Sequence, residues 1–235
     1  MGLWPRVIIK FYRYIISTIY ASLGFGWTIL WTRYYRTPQY YSHQMRQMAN
    51  TRKATSLDGY IARENHDITW LTSPPKNTHH LPPTSPRRVD TIEQHMSRVD
   101  CMIMGRRTYD FCISLPEWPY AKKRTFVLSR SMAPGAYKAK DIEVEVVGSL
   151  DEAKDVFERE RLGCVYVDGG EVVTEFLRRG WVDEMVVTTA PVLLGNGIRL
   201  FGGLEEDVRF TLVGVDVIEE GMVSVHYTAV NAKDR

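Results

Sequence analysis

Apolar and amphipathic segments alternate along the middle of the chain, and this alternation predicts strands and helices in turn. The predicted strands are the apolar runs at 101–105, 125–130, 142–147, 164–170 and 184–195. The predicted helices are the periodic segments at 90–99, 106–112, 149–163 and 171–180. Strands that alternate with helices favour a largely parallel sheet with helices on both faces.

The C-terminal part of the chain has a different pattern. Residues 208–230 contain two runs in which apolar and polar positions alternate, separated by the turn sequence EEGM. This pattern predicts an antiparallel hairpin at the edge of the sheet. Residues 71–88 are polar and rich in proline, which predicts a long surface loop. The predicted fold class is therefore α/β, with a mostly parallel central sheet, flanking helices and a C-terminal antiparallel hairpin.

The N-terminal part of the chain differs from the rest in charge. Every charged residue before Asp58 is basic and the remainder is net acidic, so the formal net charge of +2 hides two parts of opposite sign. Residues 14–32 are uncharged and have about the length of a membrane-spanning helix, although serine, threonine and glycine dilute their apolarity. Three interpretations stay open: a membrane anchor, a targeting segment, or a start outside the working protein. The basic residues that follow favour a cytoplasmic location for the folded part.

Two parts are expected from these patterns. Residues 1–53 form a basic, aromatic extension with the candidate membrane segment, and residues 54–235 form the folded domain. The run MANTRKAT at 48–55 is polar and too short for a central strand of a parallel sheet. Either the first strand of the domain is weakened, or the sequence upstream of it does not belong to the working protein.

Charge and cysteine content exclude several function classes. A net acidic domain does not have the basic surface on which nucleic-acid binding depends. The cysteines, Cys101, Cys112 and Cys164, lack the spacing of metal ligands and are odd in number. They argue against a metal site or a disulfide framework, and they favour a reducing compartment.

Three predicted strand ends carry residues that suit an anion, and ligands bind beyond the carboxyl ends of parallel strands in an open α/β sheet. Residues 105–108 place two arginines at a helix start, where the helix dipole disfavours cations unless an anion is near. Ser129 and Arg130 suit a phosphate monoester. Gly169 and Gly170 leave the backbone bare at the start of a helix, so that a phosphate can approach its N–H groups. Each feature also has an ordinary explanation as solvated surface or as a turn.

These segments belong to a set of motifs that resembles the C-terminal domain family of bacterial bifunctional deaminase-reductases. The set comprises TSLDGYIA at 55–62, DITWL at 67–71, MGRRTYD at 104–110, VLSR at 127–130, VDGG at 167–170 and the long block at 176–202. The resemblance covers about residues 54–230. It implies a dihydrofolate-reductase-like fold, NADPH as the cofactor and a homodimer. The cofactor residues that it implies are Gly105, Arg106 and Thr108 in a phosphate loop, Ser129 and Arg130 at the 2′-phosphate, and Gly169, Gly170, Glu171, Val172 and Val173 at the diphosphate.

The substrate side is less defined by the sequence. Asp58 is the favoured catalytic group and Trp70 could stack on a planar ring, although the first also suits a turn and the second a core. Tyr60 follows the SLDG motif where riboflavin-pathway reductases tend to carry a basic residue, which weakens the expectation of a ribose phosphate on the substrate.

The resemblance implies a reductase half alone, because the HxE and PCxxC motifs of zinc deaminases are absent from the sequence. The leading hypothesis is an NADPH-dependent oxidoreductase that transfers a hydride to a pyrimidine, pterin or related heterocycle, at the uracil-reductase step of riboflavin biosynthesis or a neighbouring one. One alternative is a nucleotide-binding module without turnover. Another is a scaffold tethered to a membrane through residues 14–32.

Overall fold

The structure, a computed structural model, describes residues 48–72, 82–120, 123–139 and 141–230. The candidate membrane segment at 14–32 therefore lies outside the described residues, and so does the middle of the predicted loop at 71–88. Within the described ranges, no helix is both long enough and apolar enough to cross a membrane.

Eleven strands and five helices are found in these ranges. The strands are β1 (Met48–Thr55), β2 (Tyr60–Ala62), β3 (Cys101–Gly105), β4 (Arg124–Leu128), β5 (Gly135–Ala139), β6 (Ile142–Val147), β7 (Cys164–Asp168), β8 (Val182–Thr189), β9 (Ile198–Arg199), β10 (Phe210–Val217) and β11 (Val223–Ala229). The helices are α1 (Thr69–Thr72), α2 (Ile92–Ser97), α3 (Arg106–Ser114), α4 (Leu150–Arg159) and α5 (Gly170–Arg178).

One large sheet organises the described part of the chain. Its strand order is β10-β11-β8-β1-β7-β3-β4-β6-β5. The strands from β8 to β6 in this order are parallel, and β5 and the β10–β11 hairpin add antiparallel edges. The predicted parallel centre and C-terminal hairpin are therefore confirmed. A small second sheet pairs β2 with β9.

Two apolar clusters cover the two faces of the large sheet. Successive residues of a strand point to opposite faces. In β3, Ile103 belongs to the cluster that contains α4 and α5, whereas Met102 and Met104 belong to the cluster that contains α2 and α3. Helices therefore cover both faces, as the alternation of segments predicts.

The position of β1 contradicts the prediction that residues 48–55 are too polar for a central strand. The strand lies between β7 and β8 and pairs with both in parallel. Its charged side chains find partners, because Lys53 bonds to the carboxylate of Asp168 and Arg52 donates to a backbone carbonyl ahead of α2. Paired polar groups can be buried without the full cost of desolvation. Residues 48–53, which the sequence pattern assigns to the N-terminal extension, are therefore part of the sheet.

The edge strand β5 is a further element that the sequence pattern misses. Its five residues include one lysine and two alanines, and the strand is mostly exposed. An exposed edge strand does not need an apolar face, so its sequence resembles that of a loop.

Two buried threonines in adjacent strands allow a test of this packing. Thr51 of β1 is fully buried, and its hydroxyl has no hydrogen-bond partner in the described part of the chain. Thr188 of β8 is also buried, but its Oγ1 lies 2.6 Å from Oγ of Ser224. We expect Thr51→Val to raise the free energy of unfolding by about 1 kcal/mol and Thr188→Val to lower it by about 1 kcal/mol. Urea denaturation measures both, and a loss of stability in Thr51→Val would contradict the assignment.

Candidate functional site

The strand order brings the three predicted anion-binding segments to one edge of the sheet. β7, β3 and β4 are neighbours and parallel, so their carboxyl ends lie side by side. These ends lead into Gly169, Gly105 and Ser129 respectively. The candidate site is therefore built on three adjacent strands and on the helices α3 and α5 that follow two of them.

These two helices begin without a capping side chain. The hydroxyl groups of Thr91 and Ser149 cap α2 and α4, each accepting an N–H of the first turn. In contrast, the N-cap residues of α3 and α5 are Gly105 and Gly169, and no described side chain accepts an N–H group from the first turn of either helix. Two adjacent helix starts therefore offer N–H groups to another acceptor, and the dipole of each helix favours an anion there.

The two glycines at the start of α5 are also required by the packing of the protein itself. Gly169 has a φ of 89°, and a Cβ at this position would lie 2.6 Å from Oγ1 of Thr108. A Cβ on Gly170 would lie 2.5 Å from the carbonyl oxygen of Arg199. The glycines alone are thus no proof of a ligand, but the close contact with Thr108 sets the starts of α3 and α5 side by side.

The valines predicted at the diphosphate are core residues. Val172 and Val173 are buried against the apolar cluster that contains α4 and α5. The N–H of Val173 donates to the carbonyl of Gly169 and is not available to a ligand. Any contact with a phosphate at this helix start therefore falls to the backbone N–H groups of Gly170, Glu171 and Val172.

The arginines at the start of α3 are paired with carboxylates. Nε of Arg106 lies 2.7 Å from both carboxylate oxygens of Asp110, one turn along the same helix. Nη1 of Arg107 lies 2.8 Å from Oε1 of Glu171, which joins the starts of α3 and α5. Both pairs are exposed, so each contributes little to stability and can rearrange when an anion binds.

Ser129 and Arg130 have different surroundings. Oγ of Ser129 accepts the backbone N–H groups of Ser131 and Met132 at 3.2 and 3.1 Å, so this buried hydroxyl shapes the turn after β4. Arg130 is exposed, and its guanidinium has no hydrogen bond or ion pair with any described residue. Of the two, Arg130 is the group that is available to bind a phosphate.

A buried polar network at the ends of β1 and β7 is absent from the sequence-based site. Lys53 bonds to one oxygen of the Asp168 carboxylate, and the hydroxyl of Tyr120 donates to the other. The carboxylate also accepts the N–H of Gly169 at 2.6 Å. Burial lowers the pKa of Lys53 to about 7. The network satisfies an acid that would otherwise repel an anion at the start of α5.

A weak signal for this network exists in the sequence. Asp168 directly precedes the two glycines, and an acid at the end of an apolar strand is unusual. Its partner Lys53 could be recognised only with the knowledge that β1 lies beside β7.

Asp58 binds a loop of the protein. Its carboxylate accepts the hydroxyl of Ser56 at 2.6 Å and the backbone N–H groups of Leu194 and Gly195, the latter at 2.7 Å. These hydrogen bonds, that of Ser56 above all, lower the pKa of Asp58 to about 2. A carboxylate with this pKa is ionised at neutral pH and holds no proton to donate.

Trp70 lies in the short helix α1 and is half-buried. Its indole Nε1 is enclosed, yet no described residue accepts its hydrogen. An open cleft of about 290 Å³ is lined by His66, Arg107, Asp110 and Phe111, so it borders α3 of the candidate site. The stacking role of Trp70 stays a prediction.

This chain matches one family model and is similar to a protein of Bacillus subtilis. The family model of the RibD C-terminal domain matches residues 121–224. The uncharacterized protein YwjB of Bacillus subtilis (strain 168) is 29% identical over 180 residues, which cover 74% of this chain and 93% of YwjB.

Two solved structures are similar in fold to this chain. A protein from Shewanella sp. PV-4 that is named for riboflavin biosynthesis is 34% identical, with a TM-score of 0.67 over 79% of this chain and 100% of its own. A dihydrofolate reductase from Enterococcus faecalis, complexed with NADP(H), is 18% identical, with a TM-score of 0.50 over 79% of this chain and 98% of its own. The predicted dihydrofolate-reductase-like fold class is confirmed.

The buried lysine gives a prediction about pH. Because the pKa of Lys53 falls from 10.5 to about 7 on folding, the unfolded chain binds more protons between these values, and stability rises with pH there. We expect the free energy of unfolding to rise from pH 7 to 9 relative to the double variant Lys53→Met/Asp168→Asn, by up to about 1.4 kcal/mol per pH unit. Urea denaturation at several pH values measures the difference, and parallel pH profiles would contradict it.

The hydrogen bonds of Asp58 predict which amides it protects. In Asp58→Asn the charge that holds the N–H groups of Leu194 and Gly195 is lost, so we expect both amides to exchange with solvent at least about 10-fold faster. Hydrogen–deuterium exchange measures the rates. Asp67→Asn is the control, because Asp67 caps Thr69 in a separate turn and should leave both amides unchanged. Unaltered exchange in Asp58→Asn would remove its role in holding the loop.

Proposed function

Because the chain belongs to the RibD C-terminal domain family and has its dihydrofolate-reductase-like fold, we propose that it is an NADPH-dependent reductase that transfers a hydride to a pyrimidine, pterin or related heterocycle. The observation that carries this proposal is the pair of helix starts at Gly105 and Gly169. They are adjacent, they lack capping side chains, and they lie at the carboxyl ends of neighbouring parallel strands.

The residues at this edge fit a dinucleotide phosphate. The backbone N–H groups that open α3 and α5 suit the diphosphate, and the hydroxyl of Thr108 lies between the two helix starts. Arg130, at the end of the adjacent strand β4, supplies an exposed guanidinium for the 2′-phosphate that distinguishes NADPH from NADH. In the exposed pair of Arg107 and Glu171, the guanidinium neutralises the carboxylate of Glu171 at the start of α5.

NADPH, when bound, supplies the hydride, and the protein has to orient an electron-poor ring against it. The network of Lys53, Asp168 and Tyr120 is suited to this task, since it places a cation, a carboxylate and a hydroxyl at the end of a central strand. Donors and acceptors of this kind match the N–H and C=O groups of a pyrimidine or pterin.

The reduction also needs a proton, and two residues compete for this role. Asp58, the catalytic residue predicted from the sequence, is kept ionised and holds the loop at Leu194. Lys53 has a pKa of about 7, close to neutral pH, and hydrogen-bonds within the network at the strand ends. We therefore assign proton delivery to Lys53 and loop positioning to Asp58.

A nucleotide-binding module without turnover is the second candidate. The engaged carboxylate of Asp58 favours it, because that group cannot serve as an acid at neutral pH. Both candidates share the cofactor site and differ only in whether bound NADPH is consumed. The homodimer typical of the family also stays a proposal, for which the exposed Leu212, Val213 and Val215 on edge strand β10 offer an apolar surface.

Cofactor preference tests the proposal directly. We expect the full chain to bind NADPH with a dissociation constant in the micromolar range and NADH about 10-fold or more weakly, as measured by cofactor fluorescence. Arg130→Ala should remove most of this preference by weakening NADPH alone. Arg209→Ala is the matched control, since Arg209 is an exposed arginine next to the opposite edge strand, β10.

The outcomes of this titration are distinct. Binding of neither dinucleotide would overturn the proposed function, and equal binding of both would overturn the 2′-phosphate role of Arg130. If NADPH binds, its oxidation during a screen of pyrimidines and pterins separates a reductase from a module without turnover.

A further inference from the structure

The guanidinium of Arg199 is held in a fixed position on a tyrosine ring. Its central carbon lies 4.6 Å from the ring centroid of Tyr60, and its Nη2 donates to the Tyr60 hydroxyl at 3.0 Å. The same hydroxyl donates to the carbonyl of Gly195 at 3.3 Å. Tyr60 is itself buried, so it forms a rigid platform for the arginine.

The charge of Arg199 is not neutralised by any described residue. The arginines that do pair with carboxylates are Arg63, Arg98, Arg106, Arg107, Arg124, Arg159, Arg178 and Arg179. Arg199 is exposed, and the contacts of its guanidinium with described residues are those with Tyr60. A guanidinium that is oriented but unpaired has N–H groups left for another acceptor.

Arg199 lies beside the candidate site. Its carbonyl oxygen occupies the space that a side chain on Gly170 would need, at the start of α5. Its platform Tyr60 donates a backbone N–H to Oγ of Ser56, the residue that directly follows β1. The pair of Arg199 and Tyr60 therefore lies between the end of the central strand β1 and the start of α5.

From this placement we propose that Arg199 is a specificity-determining residue that binds an anionic group, a carboxylate or a phosphate, on the heterocyclic substrate. The planar guanidinium forms two parallel hydrogen bonds with either group, which gives geometric selectivity as well as charge. The platform of Tyr60 lowers the cost of ordering a long side chain when the anion binds. This proposal rests on the proposed function and names the class of substrate that the site selects.

Tyr60 has a different role in the fold from the one that the sequence suggests. From the sequence, a tyrosine after SLDG argues against an anionic substrate, because no basic residue stands at that position. In the folded chain, the tyrosine holds an arginine that β9 contributes, since β2 and β9 pair and align Tyr60 with Arg199. The positive charge is therefore supplied from a distant part of the sequence.

Binding of small pyrimidines tests the proposal. Calorimetric titrations of the full chain, saturated with NADPH, would compare uridine 5′-monophosphate with uridine, and orotate with uracil. We expect at least one anionic probe to bind about 10-fold or more tightly than its neutral counterpart, and the pair that shows the preference distinguishes a phosphate from a carboxylate. In Arg199→Met, which keeps an apolar stem, the preference should fall to within about 2-fold, whereas Arg199→Lys should retain part of it.

The controls separate this proposal from the cofactor site. Arg209→Met should leave both the preference and the affinity for NADPH unchanged. No preference for an anionic probe in the wild type, or an equal preference in Arg199→Met, would overturn the role of Arg199. A fall of 10-fold or more in NADPH affinity in Arg199→Met would overturn it as well, by assigning the guanidinium to the cofactor. Absence of NADPH binding in the wild type would instead count against the proposed function.

Discussion

The described fold depends on the burial of a lysine in the middle of its main sheet. Central strands of parallel sheets are covered on both faces and are normally apolar, yet β1 contains Lys53. The strand can occupy this position because the carboxylate of Asp168, on the adjacent strand, accepts the ammonium group. Removing either partner would leave the other polar group buried without its hydrogen bond, which is costly. The pair of Lys53 and Asp168 therefore both allows β1 to occupy the centre of the sheet and makes the candidate site polar.

The four longer helices differ in whether a side chain caps the N–H groups of their first turn. Hydroxyl groups at Thr91 and Ser149 complete the starts of α2 and α4, which makes those ends structurally self-sufficient. Glycine at the starts of α3 and α5 leaves the same backbone groups open, and both of these helices follow central strands. A phosphate site can thus be recognised by where capping is absent, as well as by the residues that are present.

Much of the architecture could be predicted from sequence because it depends on local patterns. β3 is found at the predicted residues, and the hairpin around the EEGM turn is found at the predicted edge. β1 could not be predicted, because the partner that makes Lys53 tolerable is 115 positions away along the chain. The same limit applies to the site. The strand ends and their glycines are visible in short motifs, whereas the stacking of Arg199 on Tyr60 joins residues 139 positions apart.

The contact between Gly170 and the carbonyl of Arg199 links the start of α5, at the proposed cofactor site, to strand β9, which carries Arg199. Backbone meets backbone here with no room for a side chain, so the start of α5 and strand β9 cannot shift independently. A ligand that draws the helix start toward itself must also displace the peptide that carries the arginine. By thermodynamic reciprocity, if one ligand changes the affinity for the other, the second changes the affinity for the first by the same factor. The glycine thus ties the position of the helix start to the position of the strand that carries Arg199.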